Sequence, residues 1–271
     1  MIGSAAHREP RRRPVPRRVV SVPIITAIAS LLISSLLMSC AGPPQTTDND
    51  PAEPVNRAIF KANLAADHAV LHPVAQAYVD HVPAAVRQGV HNIVQNFGEP
   101  ATVVNDLLQG HVVRAGQSVG RLAINTTIGA AGMFDIAKKW GIPPHNSDFG
   151  ETLAGWGVGA GPFVELPLLG PSDSRDAVGT VVDLALNPLT YVGGAPATYA
   201  SVAAGSADVV DTRARHLKDL DALERNSLDY YAALRSAYLQ HRAAQIAAAK
   251  APQPPPPPGQ VQISFPDSAP R

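Results

Sequence analysis

Apolar side chains recur at helical spacing along most of this chain, and Gly or Pro separates the segments that carry them. The first segment predicts a helix from about Glu53 to Leu71, with Pro54 in its first turn and Pro73 just beyond its end. Its helical wheel has two apolar faces, whereas a helix at an ordinary protein surface needs one. Such a helix either packs on protein while facing lipid, or is buried on both sides.

Polar seams separate the two apolar faces of this helix. The first seam could form a polar wall for a passage and consists of Asn56, Asn63 and Asp67. The second contains candidate contacts for lipid headgroups, because cations attract phosphate, or else is a solvated face. These candidates are Arg57, Lys61 and His68. The larger apolar face consists of Val55, Ala58, Ile59, Ala62, Ala66, Ala69 and Val70, and the smaller of Phe60, Leu64 and Leu71.

Further helices are predicted along the chain from the same periodicity. A last apolar face lies between Leu228 and Ile246. No run alternates apolar and polar residues over several strands, so the sequence predicts an all-α fold. The other predicted helices are Pro83 to Gly98, Glu99 to Gly110, Val112 to about Ile124, and Asp176 to Leu186.

The helical spacing stops at residues 155–162, which we call the glycine segment. Glycine at alternate positions is unfavourable in a helix and costly in a strand. The apolar residues around it argue against a solvated linker, so the segment is expected against protein, a cavity or a membrane boundary. No phosphate-binding loop pattern fits, and a structural turn is the alternative. The candidates for a channel gate, where an added Cβ would obstruct a positive φ or a close backbone approach, are Gly155, Gly157, Gly159, Gly161 and Pro162.

The N-terminus has the organisation of a secretory signal. Six arginines precede an apolar run from Val19 to Met38, and Leu37-Met38-Ser39-Cys40 resembles a bacterial lipobox. Residues 1–39 are therefore predicted to be a signal peptide and Cys40 to be lipidated, with an uncleaved membrane helix as the alternative. A flexible tether is predicted at 40–52, a helical domain at 53–249 and a disordered Pro-rich tail at 250–271.

Composition and motifs narrow the possible chemistry. Of 22 basic and 22 acidic residues, six basic and one acidic precede Cys40, which leaves the remainder at a formal charge of −5. That charge argues against nucleic-acid binding. Gly116-Gln117-Ser118-Val119-Gly120 fits the nucleophile elbow of an esterase, but Ser118 falls inside a helical pattern with no strand before it. No histidine spacing predicts a metal site, and no cofactor is expected.

One long stretch carries a family resemblance. Residues 149–176, FGETLAGWGVGAGPFVELPLLGPSDSRD, closely resemble the signature of the MlaA (VacJ) family of outer-membrane phospholipid-transport lipoproteins. Shorter family motifs occur in family order between residues 50 and 192, whereas residues 193–225 do not align. The shorter motifs are Asp50-Pro51 with Asn56-Arg57, Glu99-Pro100 with Asn105 and Leu108-Gln109-Gly110, and Arg121 with Asn125-Thr126.

This resemblance implies a function without covalent chemistry. The protein is expected to form a compact ring of amphipathic helices in the inner leaflet of the outer membrane, lipid-anchored and facing the periplasm. It would pass mislocalised phospholipid from the outer leaflet through a pore to a periplasmic phospholipid carrier protein, beside a trimeric porin. A structural porin-associated lipoprotein without transport activity is the alternative.

Overall fold

The computed structural model describes residues 49–186 and 195–251, and the predicted all-α class is confirmed. The predicted signal peptide, Cys40, nearly all of the tether and nearly all of the Pro-rich tail lie outside the described residues. The helices are α1 (Glu53–Ala66), α2 (His72–His81), α3 (Ala84–Leu108), α4 (Val112–Thr127), α5 (Ile136–Lys139), α6 (Phe149–Gly155), α7 (Ser174–Leu186), α8 (Ala195–Arg215), α9 (Leu217–Asn226) and α10 (Tyr230–Lys250).

Two prolines that were read as helix boundaries lie inside continuous helix. A π-helical turn, Asp67–Leu71, joins α1 to α2, so the helix does not end before Pro73. Pro73 occupies the first turn of α2, where its missing N–H costs little, and a wider turn gives its ring room. Helix α3 likewise continues through Pro100, and the predicted break at Gly98 is wrong. Packing of α2 against α8 and of α3 against α4 outweighs the local preference of these prolines.

A short β-hairpin follows the glycine segment and was not predicted. Strand β1 (Phe163–Leu166) pairs antiparallel with β2 (Gly170–Asp173), with Phe163 opposite Asp173. The connecting turn requires positive φ at Leu168 (+63°) and Gly170 (+83°). The hairpin therefore gives regular structure to residues 163–173, directly after the glycine segment.

An aromatic cluster joins α1, β1 and α10. Phe60 and Phe163 pack edge-on against Tyr231, with ring centroids 5.5 and 6.0 Å away. These three side chains are buried, and Leu64 and Tyr238 pack around them. The smaller apolar face of α1 thus contributes to the core that holds the first strand of the hairpin.

The larger apolar face of α1 is exposed, which excludes burial of this helix on both sides. Val55 is 60% exposed, and Ala58 and Ala62 on the same face are also exposed. Among the described residues no helix is both long and apolar enough to cross a membrane. Exposed large apolar side chains also occur on other elements, among them Val70, Val74, Val86, Leu107, Val112, Val113, Ile128, Phe134, Trp140, Leu168, Leu169 and Leu184.

Candidate functional site

The glycine segment connects the end of α6 to the start of β1. Gly157 and Gly161 have φ of +91° and +72°, a conformation that side chains with a Cβ rarely adopt. A Cβ on Gly155 or Gly159 would meet no atom within 4 Å, and neither residue has a positive φ. The expected conformational need for glycine is therefore found at Gly157 and Gly161, and it is wrong for Gly155 and Gly159.

The glycine segment lies at the surface next to the end of α3. Trp156 is 56% exposed, and its indole Nε1 donates to the Leu108 carbonyl at 3.1 Å. Its ring also packs edge-on against Phe149 of α6 at 5.9 Å. The first half of the segment is attached to α3 through Trp156, and Gly155, Gly157 and Gly159 are exposed. In the second half, the carbonyls of Ala160, Gly161 and Pro162 accept hydrogen bonds from the Arg175 N–H, the Asn49 amide and the Ser174 N–H, at 3.1, 2.5 and 3.0 Å.

The first seam of α1 binds the hairpin. Asn56 donates to the Phe163 carbonyl at 3.1 Å and accepts from the Glu165 N–H at 3.1 Å. Asn63 donates to Glu165 Oε1 and to the Leu166 carbonyl, each at 2.9 Å. These amides already have protein partners, and the remaining seam residue, Asp67, accepts two hydrogen bonds from Arg213. The seam anchors neighbouring elements, and its role as a polar wall stays a prediction.

Helix α6, which precedes the glycine segment in the chain, is joined to α7 by Arg242 of α10. Its guanidinium donates two hydrogen bonds of 2.7 Å to Asp148, the N-cap of α6. It donates two more, of 2.5 and 3.0 Å, to Asp176 in the first turn of α7. Because Asp148 also accepts the Glu151 N–H at 2.8 Å, the start of α6 is tied to two other helices.

Helices α6 and α7 also approach closely through glycine. A Cβ added to Gly179 of α7 would lie 2.5 Å from the backbone nitrogen of Gly150 in α6. Any side chain there would have to separate the two helices. The element that precedes the glycine segment is therefore packed tightly on α7.

Two buried carboxyl groups beside this network have pKa values raised to near neutrality. Burial, with repulsion from Asp148, raises the pKa of Glu151 to about 7 against the opposing effect of Arg242. Burial, with repulsion from Asp176, raises the pKa of Asp173 to about 7 against the opposing effect of Arg175. One of these groups lies in α6 and the other at the end of β2, so they lie on either side of the glycine segment in the chain.

The proposed headgroup contacts differ in their surroundings. Arg57 binds Glu53 at 2.7 Å and Asp229 at 2.6 Å, and its guanidinium lies 4.4 Å from the centre of the Tyr231 ring. His68 lies 3.3 Å from Glu224. Lys61 is exposed and has no ion pair within the described part of the chain. Arg57 thus connects α1 to the N-cap of α10, and His68 connects the π-helical turn to α9.

Ser118 is not the nucleophile of an esterase elbow. It lies in the middle of α4, its side chain is 0% exposed, and it packs beside Glu99 of α3. The strands found in residues 49–186 and 195–251 are β1 and β2, both later in the chain. An elbow needs a strand before the serine and access for substrate, so the nucleophile-elbow interpretation of Ser118 is wrong.

A mostly helical domain with exposed apolar faces defines a class of protein suited to a membrane surface. The chain belongs to the MlaA lipoprotein family, whose model matches residues 48–245 and so includes residues 193–225, which motif reading had left unaligned. The intermembrane phospholipid transport system lipoprotein MlaA of Escherichia coli (strain K12) is 36% identical over 221 residues, covering 78% of this chain and 85% of that protein. An uncharacterized protein of Rickettsia felis is 37% identical over 200 residues, covering 73% and 78% respectively.

The chain is also similar to a solved structure from work on the structural basis for maintenance of bacterial outer membrane lipid asymmetry. The TM-score is 0.64 at 34% identity, and the match covers 73% of this chain and 98% of that one. At 34% identity, the similar folds of the two chains are those of members of one family. The predicted family membership is confirmed.

The network around Arg242 was not predicted from the sequence. Its signal was an arginine one turn after Tyr238, on the apolar face of the last predicted helix. A charge on a core-facing position needs a buried partner. The partners, Asp148 and Asp176, are 94 and 66 residues away, so periodicity within the helix could not name them.

Proposed function

We propose that this protein is a lipid-anchored lipoprotein of the outer membrane that removes phospholipid from the outer leaflet and passes it towards the periplasm. The proposal is supported by the relative in Escherichia coli, named as a lipoprotein of an intermembrane phospholipid transport system. It is also supported by the similarity to the structure connected with outer membrane lipid asymmetry. No covalent step is required for this function, so the protein would act without catalysis or cofactor.

The observation that carries the proposal is an exposed glycine segment held at both ends by rigid elements. Helix α6 is fixed by Arg242 and by its contact with α7, while β1 is fixed by Asn56 and Asn63. Between these points Gly157 and Gly161 hold backbone conformations open chiefly to glycine. A short segment that can change conformation between fixed ends is suited to act as a gate. The gate would comprise residues 155–162, including Pro162.

We place the helices as a ring in the inner leaflet, with the exposed apolar side chains in contact with acyl chains. Each large aliphatic side chain that leaves water contributes roughly 1.5–3 kcal/mol. In this proposal residues 1–39 are removed, lipidated Cys40 anchors the tether 40–52, and the domain 53–249 forms the passage. The tail 250–271 is not needed for it. A trimeric porin would be the membrane partner, and a periplasmic phospholipid carrier protein would receive the lipid.

The test is a measurement of phospholipid in the outer leaflet of cells. Deleting the gene from its native bacterium should raise surface-exposed phospholipid, and the wild-type gene should restore the normal level. Cys40→Ala should fail to restore it, because the unanchored body would leave the membrane. Normal outer-leaflet composition after deletion would reject the transport proposal. Altered porin assembly with normal lipid asymmetry would instead favour the structural, porin-associated alternative.

A further inference from the structure

A polar cavity of about 470 Å³, in the size range of small-molecule sites, is lined by residues of α3, α4 and the segment around α5. Helix α3 forms one wall, α4 another, and the segment from residue 135 to 146 the third. None of its lining residues belongs to the glycine segment or to the hairpin. The lining residues are Gln88, His91, Asn92, Gln95, Arg121, Asn125, Asp135, Lys138, Pro144, His145 and Asn146.

Most charges in this cavity are already paired. Arg121 donates to Glu99 at 2.7 Å and to the Ile142 carbonyl at 2.8 Å, and it forms an ion pair with Asp135. Although burial opposes ionisation, hydrogen bonds from the Lys138 N–H, Asn125 and Arg121 lower the pKa of Asp135. That carboxylate is therefore ionised and engaged, and it compensates the charge of Arg121.

The histidines of the cavity also have carboxylate partners. His91 lies 2.9 Å from Asp211, and His145 lies 2.7 Å from Asp106. The ammonium group of Lys138, by contrast, has no ion pair within residues 49–186 and 195–251. Among the described residues that line the cavity, it is the cation available to an anionic ligand. A lysine ammonium and nearby amide donors suit phosphate oxygens.

An apolar rim adjoins the cavity in the same segment of the chain. Asn92, which lines the cavity, donates to the Met133 carbonyl at 2.9 Å. Met133, Phe134 and Trp140 are 44%, 52% and 57% exposed. The loop around α5 thus presents polar groups to the cavity and large apolar side chains to the outside. A ligand with a charged head and apolar chains would match both parts.

We propose that this cavity binds the phosphate of a glycerophospholipid, with Lys138 contacting the phosphate and Met133, Phe134 and Trp140 covering the acyl chains. The proposal rests on the proposed function, because it assigns a holding site to the transported lipid. It places recognition of the lipid headgroup apart from the glycine segment. Lipid would be selected by its phosphate at one location and released through another.

Binding of dihexanoyl phosphatidylethanolamine to the detergent-solubilised mature protein tests this site. Lys138→Gln should weaken binding about tenfold, the loss expected for one charge-assisted hydrogen bond. Lys138→Arg should retain most of the affinity because it keeps the charge. Lys139→Gln is the matched control, since Lys139 is the exposed neighbour in α5 and does not line the cavity. Equal losses for Lys138→Gln and Lys139→Gln, or no loss for either, would overturn the assignment.

Two further ligands show which part of the phospholipid the cavity recognises. Dihexanoylglycerol lacks the phosphate and should bind weakly, and its binding should not respond to Lys138→Gln. Inorganic phosphate lacks the acyl chains and should compete only at much higher concentration than the phospholipid. Competition by phosphate at equal concentration would show a site for free phosphate and overturn the lipid assignment.

The same variants separate this proposal from the proposed function. If the wild-type gene restores outer-membrane asymmetry while Lys138→Gln binds phospholipid like wild type, the cavity assignment fails alone. If binding depends on Lys138 but deletion of the gene leaves asymmetry normal, the transport proposal fails and the binding site stands. Circular dichroism of each variant should be unchanged, because residue 138 is exposed on a short helix.

Discussion

Arg242 and Asp148 face one another across two parallel hydrogen bonds of 2.7 Å, although 94 residues separate them in the chain. The planar guanidinium matches the planar carboxylate, so the pair fixes orientation as well as distance. Because Asp148 caps α6, this contact determines the direction in which the chain enters the glycine segment.

Removing Arg242 should strongly destabilise the fold. Its side chain is only 10% exposed, and Arg242→Ala would leave two carboxylates without their shared cation. We expect the free energy of unfolding to fall by about 3–5 kcal/mol, measured by urea denaturation. Arg225→Ala, an exposed position on α9, serves as the control and should change it by less than about 0.5 kcal/mol. Similar stability of the two variants would mean that the network contributes little.

Glu151 should make stability depend on pH. Its pKa is raised from 4.5 to about 7, so the folded protein holds a proton that the unfolded chain has lost. Its contribution to stability is full below about pH 4.5 and is lost as the pH rises through 7. Between pH 5 and pH 8 the free energy of unfolding should fall in both proteins. The fall should be about 1–3 kcal/mol smaller for Glu151→Gln than for wild type. Parallel stability curves for the two proteins would contradict the raised pKa.

Substitutions at Gly157 and Gly159 should differ in effect. Valine at Gly157 must adopt a φ near +91°, which costs roughly 1–3 kcal/mol, whereas Gly159 has open space and no positive φ. We expect Gly157→Val to raise surface-exposed phospholipid in cells with no change in helicity, and Gly159→Val to behave like wild type. Loss of helicity in Gly157→Val would show a packing role. Normal asymmetry would show that the position is unimportant for transport.

The attachment of the hairpin to α1 should depend on Asn63. Its amide makes two donor contacts to Glu165 and Leu166 and accepts the Leu168 N–H at 2.8 Å. Asn63→Ala leaves the buried Glu165 without its amide donor, at a cost of about 1–3 kcal/mol. Hydrogen exchange of the hairpin amides should become faster. Gln76→Ala, which breaks an exposed contact to Asp80, is the control and should leave exchange there unchanged.

Ser118 should be dispensable for activity. Because it is completely buried within α4, Ser118→Ala should support normal lipid asymmetry to within a few-fold of wild type. The purified protein should release no fatty acid from phospholipid vesicles in either form. Serine-dependent release of fatty acid would restore the esterase hypothesis.

Periodicity located α1, α3, α4, α7 and α10, but it misplaced helix ends at proline and did not predict α2, α5, α6, α8 or α9. Helix α4 was predicted from Val112 to about Ile124 and runs to Thr127. Pro73 and Pro100 misled the prediction, since each is a strong local signal for a boundary. Their effect was overridden by contacts with distant elements, which a local pattern does not contain.

The hairpin escaped prediction because its inward side carries a carboxylate. Phe163 and Glu165 are both buried, so the alternation of burial does not coincide with an alternation of hydrophobicity. Glu165 is tolerated there because Asn63 donates to it from α1, 102 residues earlier. Likewise, the glycine segment was recognised from its own residues, whereas its attachments through Arg242 and Asn63 depend on the complete fold.

The contact between Gly150 and Gly179 restricts how the glycine segment can move. Helix α6 is packed against α7, and the carbonyls of Ala160, Gly161 and Pro162 accept hydrogen bonds from Arg175, Asn49 and Ser174. The four residues 156–159 therefore connect two fixed points. Backbone rotations within this span must compensate one another, and they are least hindered at Gly157 and Gly159, where an added Cβ would meet no atom within 4 Å. Coupled backbone rotations of this kind occur on the nanosecond-to-microsecond timescale of loop motions. In the proposed gate, the width of the passage would then change while every helix keeps its position.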